Sequence, residues 1–423
     1  MAVALLLGTV PILALAFALT VVAGRRGWAP TLPQALMVGA VLRVTVAVLA
    51  QRGAWQPFDF FHDFPVAGEN VLHHRDPLSH TRPYGWNYLP FMAYVFAAQL
   101  KLGQLIGLPW VAAGRTVPVI ADLVLAGLVG SLARERQALR RFQYACNPLA
   151  ILVSAVHGQM EPTVLALAVG GLVLARGRRP IMAGALWGLA VAGKSWPLLL
   201  LPALLSACRD TRSRVRVTLC GFGTLAVIFL TTPLAVGTPL RQLLADGRQI
   251  ASYRSATGEW GWTGVAAAVV GPERAGALGS TWAHVGTYMT VLVLAGVFWL
   301  WRKADPVDLA SAVLLAFLVV TAGFGAQYLL WPVPFLVAKP TRWFPLALGL
   351  ATTWAVTGYL YLTLSAATYR AGHEVWVLAS IPVIIALVAA MPRPHRRSPP
   401  RSAFSDRDYY GSPAISVPRG EPG

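Results

Sequence analysis

Two carboxylates four residues apart, Asp59 and Asp63 in FDFFHDF, are the first groups in this chain whose type and spacing suggest chemistry. At i and i+4 they share one face of a helix, and Phe58, Phe60, Phe61 and Phe64 give that face a partly apolar setting. Such burial raises a carboxyl pKa and suits it to act as a general base. An amphipathic interfacial helix whose acids simply face water has the same pattern. Lys194 is the sole cation in residues 181–207. An ionisable group at membrane depth is costly and points to function, although a lysine can also snorkel to the headgroups. The turn HGQMEP supplies His157, Gln159 and Glu161. Glu161 would orient a substrate or pair with Lys194, and the other two would bind ligand hydroxyls or cap the turn. Arg254, in YRSATGEWGW, offers a planar fork for a phosphate or a contact to headgroups. Trp260 and Trp262 fit a ring-stacking role or an interfacial aromatic belt. His62, His73, His74 and His80 lie near the two acids, so a divalent metal is conceivable. Their spacing matches no ligand pattern, and no cofactor is implied.

Composition says what scaffold these residues need. The 423 residues are 56% hydrophobic and 12% charged, with a mean hydropathy of +0.58, whereas soluble domains are about a quarter charged. Uncharged runs such as 217–236 and 311–323 call for a bilayer. The three cysteines, Cys146, Cys208 and Cys220, sit inside or beside apolar runs, which excludes a secreted disulfide scaffold and argues against thiolate chemistry. A net charge of +18 invites a nucleic-acid reading, but the basic residues come as short clusters between apolar runs. That is the signature of cytoplasmic loops, and no continuous basic face with interleaved aromatics is present.

The expected architecture is an all-α polytopic membrane protein of about thirteen segments, N-terminus outside and C-terminus inside. Residues 2–22 and 33–50 span, and a long first outer loop, 51–112, carries interfacial helices, one of them over 87–106. After a descending span at 115–133, the short runs 146–156, 162–175, 181–193 and 196–207 read as paired half-length helices. Their polar turns, 157–161 and 194–195, lie at outer tips, where irregular backbone must line a cavity or be buried in protein. Residues 217–236 rise to a second outer loop, 237–281. Further segments follow at 284–301, 309–325, 328–338, 343–362 and 375–390. Arg43 should face the bundle, and Asp122 should pair with some basic residue inside it. The membrane-embedded domain is expected to cover 1–391, with 392–423 a disordered cytoplasmic tail.

The motifs, taken in order, resemble the GT-C superfamily of membrane glycosyltransferases that use polyprenyl-phosphate sugars. Asp59, then Asp76-Pro77-Leu78, then Asn87-Tyr88-Leu89-Pro90 look like the family's first outer loop: an acid, a short helix, an Asp-Pro turn and a Tyr-x-Pro-Pro opening an interfacial helix. The usual Gly before the turn is His74-Arg75 here, and one proline is absent. Asn147-Pro148 leading to His157-Gly158-Gln159-Met160-Glu161 is similar to the family's Asn-Pro helix and the turn that ends it. Gly193-Lys194-Ser195-Trp196-Pro197 resembles its Lys-x-x-Pro element, and Gln327-Tyr328-Leu329-Leu330-Trp331 its late-helix motif. The resemblance implies Asp59, ahead of Asp63, as the base. Alongside it, the motif residue Lys194 and, from its chemistry alone, Arg254 are the candidates for the donor phosphate, with His157, Gln159, Glu161, Gln327 and Tyr328 expected around the substrates. The resemblance also implies a polyprenyl-phosphate-linked donor (mannose as best guess), a glycan or glycolipid acceptor, membrane lipid as environment and no nucleic acid. The location implied is a bacterial cytoplasmic membrane, with the site on its outer face. Two other classes compete: a transporter or flippase with a midplane site, and a non-catalytic assembly partner. Polar residues gathered at one set of tips favour chemistry at one face.

Overall fold

The computed structural model describes residues 2–53, 56–77, 88–252 and 257–394. Among these every regular element is helical, apart from one isolated antiparallel bridge between Thr257 and Gly323. Six helical stretches are long and apolar enough to cross a bilayer: Val3–Arg26, Leu32–Gln51, Trp110–Leu132, Thr211–Val236, Pro272–Trp301 and Ala366–Ala389. Shorter apolar helices lie among them, including Pro148–His157, Pro180–Gly193, Pro306–Val320 and Ala326–Ala338. This is a multi-helix membrane protein.

Proline and glycine set many of the breaks. Asn147 caps the next helix, its side chain accepting from Ala150 N–H, with Pro148 at the first helical position, where the missing N–H costs nothing. That helix continues as a π-helical turn, Leu152–His157, and stops at Gly158 with φ 72°, a left-handed conformation open to glycine. The next helix, Glu161–Arg176, again has proline in its first turn. Glycine also sets the closest packing. A Cβ on Gly184 would lie 2.4 Å from the Val217 carbonyl oxygen, and one on Gly188 2.3 Å from that of Gly221. The Pro180–Gly193 and Thr211–Val236 helices therefore touch backbone to backbone, the small-residue packing that replaces hydrophobic drive inside lipid.

Buried charge ties the layers together. Arg43 pairs with Asp122 at 2.8 Å, both fully buried, and also donates to the Ala145 carbonyl at 2.6 Å. Asp122 further accepts from Tyr144 and Ser154, each at 2.9 Å. Arg43 is thus the partner that Asp122 needed, and the network anchors the π-helical turn through Ser154. At the far end of Glu161–Arg176, Asp305 accepts from Arg176 at 2.8 Å and Arg134 at 2.5 Å, and Lys339 pairs with Asp308. Glu161 and this basic cluster therefore occupy opposite ends of one helix.

Two regions differ from the sequence reading. Residues 237–281, expected as a loop, hold the helices Leu240–Ser252 and Gly261–Val270 and the first turns of Pro272–Trp301. Gly271 and Pro272 start that 30-residue helix. At about 45 Å it exceeds a bilayer of roughly 30 Å, so its polar beginning looks like loop in the sequence. The last span begins at Ala366 rather than near 375, because Tyr369, Arg370, His373 and Glu374 dilute the apolar pattern of its first turns. The expected tail lies outside the described residues from position 395 onward.

Candidate active site

Asp59 opens a π-helical turn, Asp59–Asp63, that runs into the Phe64–Leu72 helix. Single π turns are rare and favour functional sites. A separate small core of Phe60, Phe64, Ala67, Met92, Ala93, Phe96 and Met160 supports this turn. Trp110 Nε1–H donates to the Phe60 carbonyl at 2.7 Å. One carboxylate oxygen of Asp59 accepts from Gln159 Nε2 at 2.5 Å, the other from the Phe60 amide at 2.8 Å. His157 Nε2 stands 3.8 Å from the latter oxygen. Gln159 is fixed from behind, since its Oε1 accepts from the Met160 amide at 3.0 Å. Asp59 retains 26% of its side-chain exposure while His157 retains 7% and Glu161 is fully buried, so a ligand can reach the Asp59 carboxylate.

Asp63, its neighbour on the turn, has one buried oxygen without a hydrogen-bond partner. Burial first, and the Asp59 charge second, push its carboxyl up to about 6. The two acids therefore differ in setting: Asp59 is held by donors, whereas one Asp63 oxygen is buried without a hydrogen-bond partner.

Lys194 ends the Pro180–Gly193 helix in an extended conformation, and its ammonium donates to Glu161, which is fully buried. The same nitrogen lies 4.8 Å from the Tyr88 ring centroid and 5.7 Å from that of Tyr328. Tyr328 stacks on Trp331 at 4.3 Å, and Trp331 on Trp196 at 4.4 Å. Gln327 joins through Tyr359, whose hydroxyl donates to Gln327 Oε1 at 3.0 Å and whose ring meets His157 edge-on at 4.7 Å. Residues from four separated stretches, 59–63, 157–161, 194 and 327–328, thus converge at one end of the bundle. The arrangement joins a reachable carboxylate, a buried cation and several hydroxyl and amide groups. That set can take a proton from a hydroxyl and steady a negative leaving group.

Not every expected residue joins. Arg254 lies outside the described residues, as do His80, Leu78 and Asn87. Trp260 is a core residue rather than a ligand-stacking or belt residue: it is 1% exposed, stacks on Phe324 at 4.0 Å and donates to the Leu318 carbonyl at 2.8 Å. Trp262 likewise donates inward, to the Val320 carbonyl. The His62 ring packs on Phe58 at 4.7 Å, and His74 Nδ1 contacts the Ala235 carbonyl oxygen at 2.9 Å. Among the described residues no three His, Cys, Asp or Glu side chains gather as a ligand group. Residues the sequence did not single out are Arg115, Gln56 and Tyr359. Arg115 opened an expected span and Tyr359 sat within an apolar run, so neither carried a local signal.

An all-helical membrane fold with an acid-and-cation cluster at one end is compatible with a membrane glycosyltransferase of GT-C type. The chain belongs to glycosyltransferase family 87, whose family model matches residues 86–322. No curated protein matches the chain. Transfer of a sugar from a donor to an acceptor is therefore its class of activity, and the transporter reading is not favoured.

Proposed function

We propose that the chain is an inverting glycosyltransferase moving a sugar, mannose as first candidate, from a polyprenyl-phosphate donor to a lipid-linked or polysaccharide acceptor. The observation that carries this reading is Asp59, held by Gln159 and beside His157, in one cluster with the Lys194–Glu161 pair. Asp59 takes the acceptor hydroxyl proton as that oxygen attacks the anomeric carbon. The carbon–oxygen bond to the lipid phosphate breaks, and the departing phosphate keeps the electron pair. Lys194, and Arg254 as a second cation, neutralise that phosphate. One displacement inverts the anomeric centre. His157, Gln159, Glu161, Gln327 and Tyr328 hold sugar hydroxyls, and the step itself uses no cofactor.

The extracytoplasmic side of a bacterial plasma membrane is the proposed location. Supporting it, Arg134 and Arg176 mark the opposite end of the bundle, and basic clusters collect in the cytoplasm. In a chain whose three cysteines are replaced, Glu69→Cys should react with an impermeant thiol reagent from outside while Arg212→Cys should not. Reversed labelling would move the site to the cytoplasmic face.

Asp59→Asn tests the chemistry. It keeps shape but accepts no proton, so turnover with a polyprenyl-phosphate-mannose donor should fall by about 10²–10⁴-fold with donor binding retained. Asp63→Asn should cost much less. Near-normal turnover in both variants would remove this loop from the chemistry and make Glu161 the next acid to test.

A further inference from the structure

Arg115 lies at the start of the Trp110–Leu132 helix and is 2% exposed, yet no carboxylate meets it among the described residues. Every partner is neutral. Nε donates to the Ala155 carbonyl at 3.0 Å, and one terminal nitrogen donates to the Val156 carbonyl at 2.7 Å. That nitrogen also donates to Gln56 Oε1 at 2.7 Å, and the other donates to the Val111 carbonyl at 2.5 Å. The guanidinium carbon sits 4.2 Å from the centroid of the Phe60 ring. Stacking on an aromatic face adds to its hold on the first π turn.

Apart from Val111, on Arg115's own helix, these partners fall into two groups. Ala155 and Val156 close the second π-helical turn, where terminal carbonyls lack helical donors, and the next residues are His157, Gly158 and Gln159. Gln56 and Phe60 bracket Asp59. Gln56 is itself fixed, its Nε2 donating to the Ala50 carbonyl at 2.8 Å. The planar fork of arginine spans the joint between the two turns, so the Asp59–Gln159 and Asp59–His157 distances depend on it. Gly158 shows how tight the joint is: a Cβ there would lie 2.5 Å from the Phe60 ring and 3.2 Å from Arg115 Cγ. A buried guanidinium with only neutral partners is an expensive way to brace a fold, which a purely architectural role does not call for.

We propose that Arg115 is a positioning residue that sets Asp59 against Gln159 and His157 by clamping the two π-helical turns together. The proposal rests on Asp59 being the base. Misplacing a reacting group by about 1 Å can cost about 10²-fold in rate. Lysine supplies the charge but has no fork for three carbonyls and an amide.

The test measures kcat and donor KM for Arg115→Met and Arg115→Lys, each in the wild-type and Asp59→Asn backgrounds, with folded protein quantified by its thermal unfolding midpoint. Expected is a fall in kcat of about 10²-fold for both variants, with KM within about twofold. In the Asp59→Asn background the same substitutions should cost less than about threefold, because the group they position no longer works. Three results would overturn the proposal: wild-type kcat in Arg115→Met, an equal fall in both backgrounds, or full rescue by lysine. If Arg115→Met does not fold, Gln56→Met, which removes one strut of the clamp, carries the same comparison and the same criteria. Full activity in Asp59→Asn itself would sink the assignment of the base. An inactive Asp59→Asn beside an unaffected Arg115→Met would sink the clamp alone.

Discussion

Lys194 and Glu161 meet where neither has water: Glu161 is fully buried and Lys194 is 4% exposed. Such a pair holds the fold, and under the proposed function it also offers its cation to a phosphate; substitutions can separate the two. Lys194→Met strands a buried carboxylate, which typically costs about 3–5 kcal/mol, so the unfolding midpoint should drop. Adding Glu161→Gln removes the stranded charge and should restore most of that midpoint. Turnover should stay down by about 10²-fold in both variants, because the leaving phosphate still lacks its cation. Recovery of turnover together with stability would leave Lys194 a structural partner only. At this scale much of the cluster was legible, because polar residues are scarce enough here that Asp59, Glu161 and Lys194 stand out. Tyr359 and Arg115 were hidden for a physical reason: an aromatic or arginine beside an apolar run reads as core or boundary until its tertiary partners are seen.

The π-helical turn Leu152–His157 and its stop at Gly158 deliver His157 and Gln159 to the acid. Gly158→Ala should therefore harm function more than folding. The left-handed backbone costs an alanine about 1–2 kcal/mol, and the new Cβ must push the Phe60 ring, and Asp59 with it, away from Gln159. Turnover should fall well beyond what the unfolding midpoint explains. Gly223→Ala, in open space on the Thr211–Val236 helix, is the control and should keep both. Equal turnover in the two variants would disconnect Gly158 from the acid's geometry. Sequence placed this element closely, at 146–156 against the observed Pro148–His157, because Asn147-Pro148 and Gly158 mark its ends. The π geometry was not legible: the Ser154–Asp122 bond and the Arg115 clamp come from other parts of the chain. Within 237–281 the Leu240–Ser252 helix was missed because its polar face mimics a loop, and Gly261–Val270 because its ten residues are too few for a span.

Across the whole molecule, the Asp76 and Asp246 carboxyls join the two regions expected as outer loops. Asp246, also held by Gln242 at 2.7 Å, is pushed up to about 6, first by burial and then by its hydrogen bond to Asp76. A raised carboxyl pKa means the folded state prefers the protonated form. This contribution to stability is full below the unfolded value of about 3.9 and is lost as pH rises through about 6. Asp246→Asn mimics the protonated form, so its unfolding midpoint should match wild type near pH 4 and exceed it above pH 6. Asp63, raised in the same direction, is common to both chains and cancels. A wild-type midpoint that gains on the variant as pH rises would reverse the assigned sign. Composition made the all-helical membrane class legible, and the basic clusters marked one end of the bundle. The meeting of Asp76 with Asp246 was not legible, since nothing local links residues so far apart in the chain.

The Glu161–Arg176 helix also measures depth. Its 16 residues reach at most about 24 Å, whereas the hydrocarbon core of a bilayer is about 30 Å thick. If the Arg176–Asp305–Arg134 cluster sits at one headgroup plane, Glu161 and its neighbours fall several ångströms short of the other. On the proposed polyprenyl-phosphate donor, the sugar would start at that plane, and its phosphate would descend a short way along its own chain to meet Lys194. A nucleotide sugar would have to leave water and cross the same depth as a free polyanion, with no apolar tail to offset the loss of hydration.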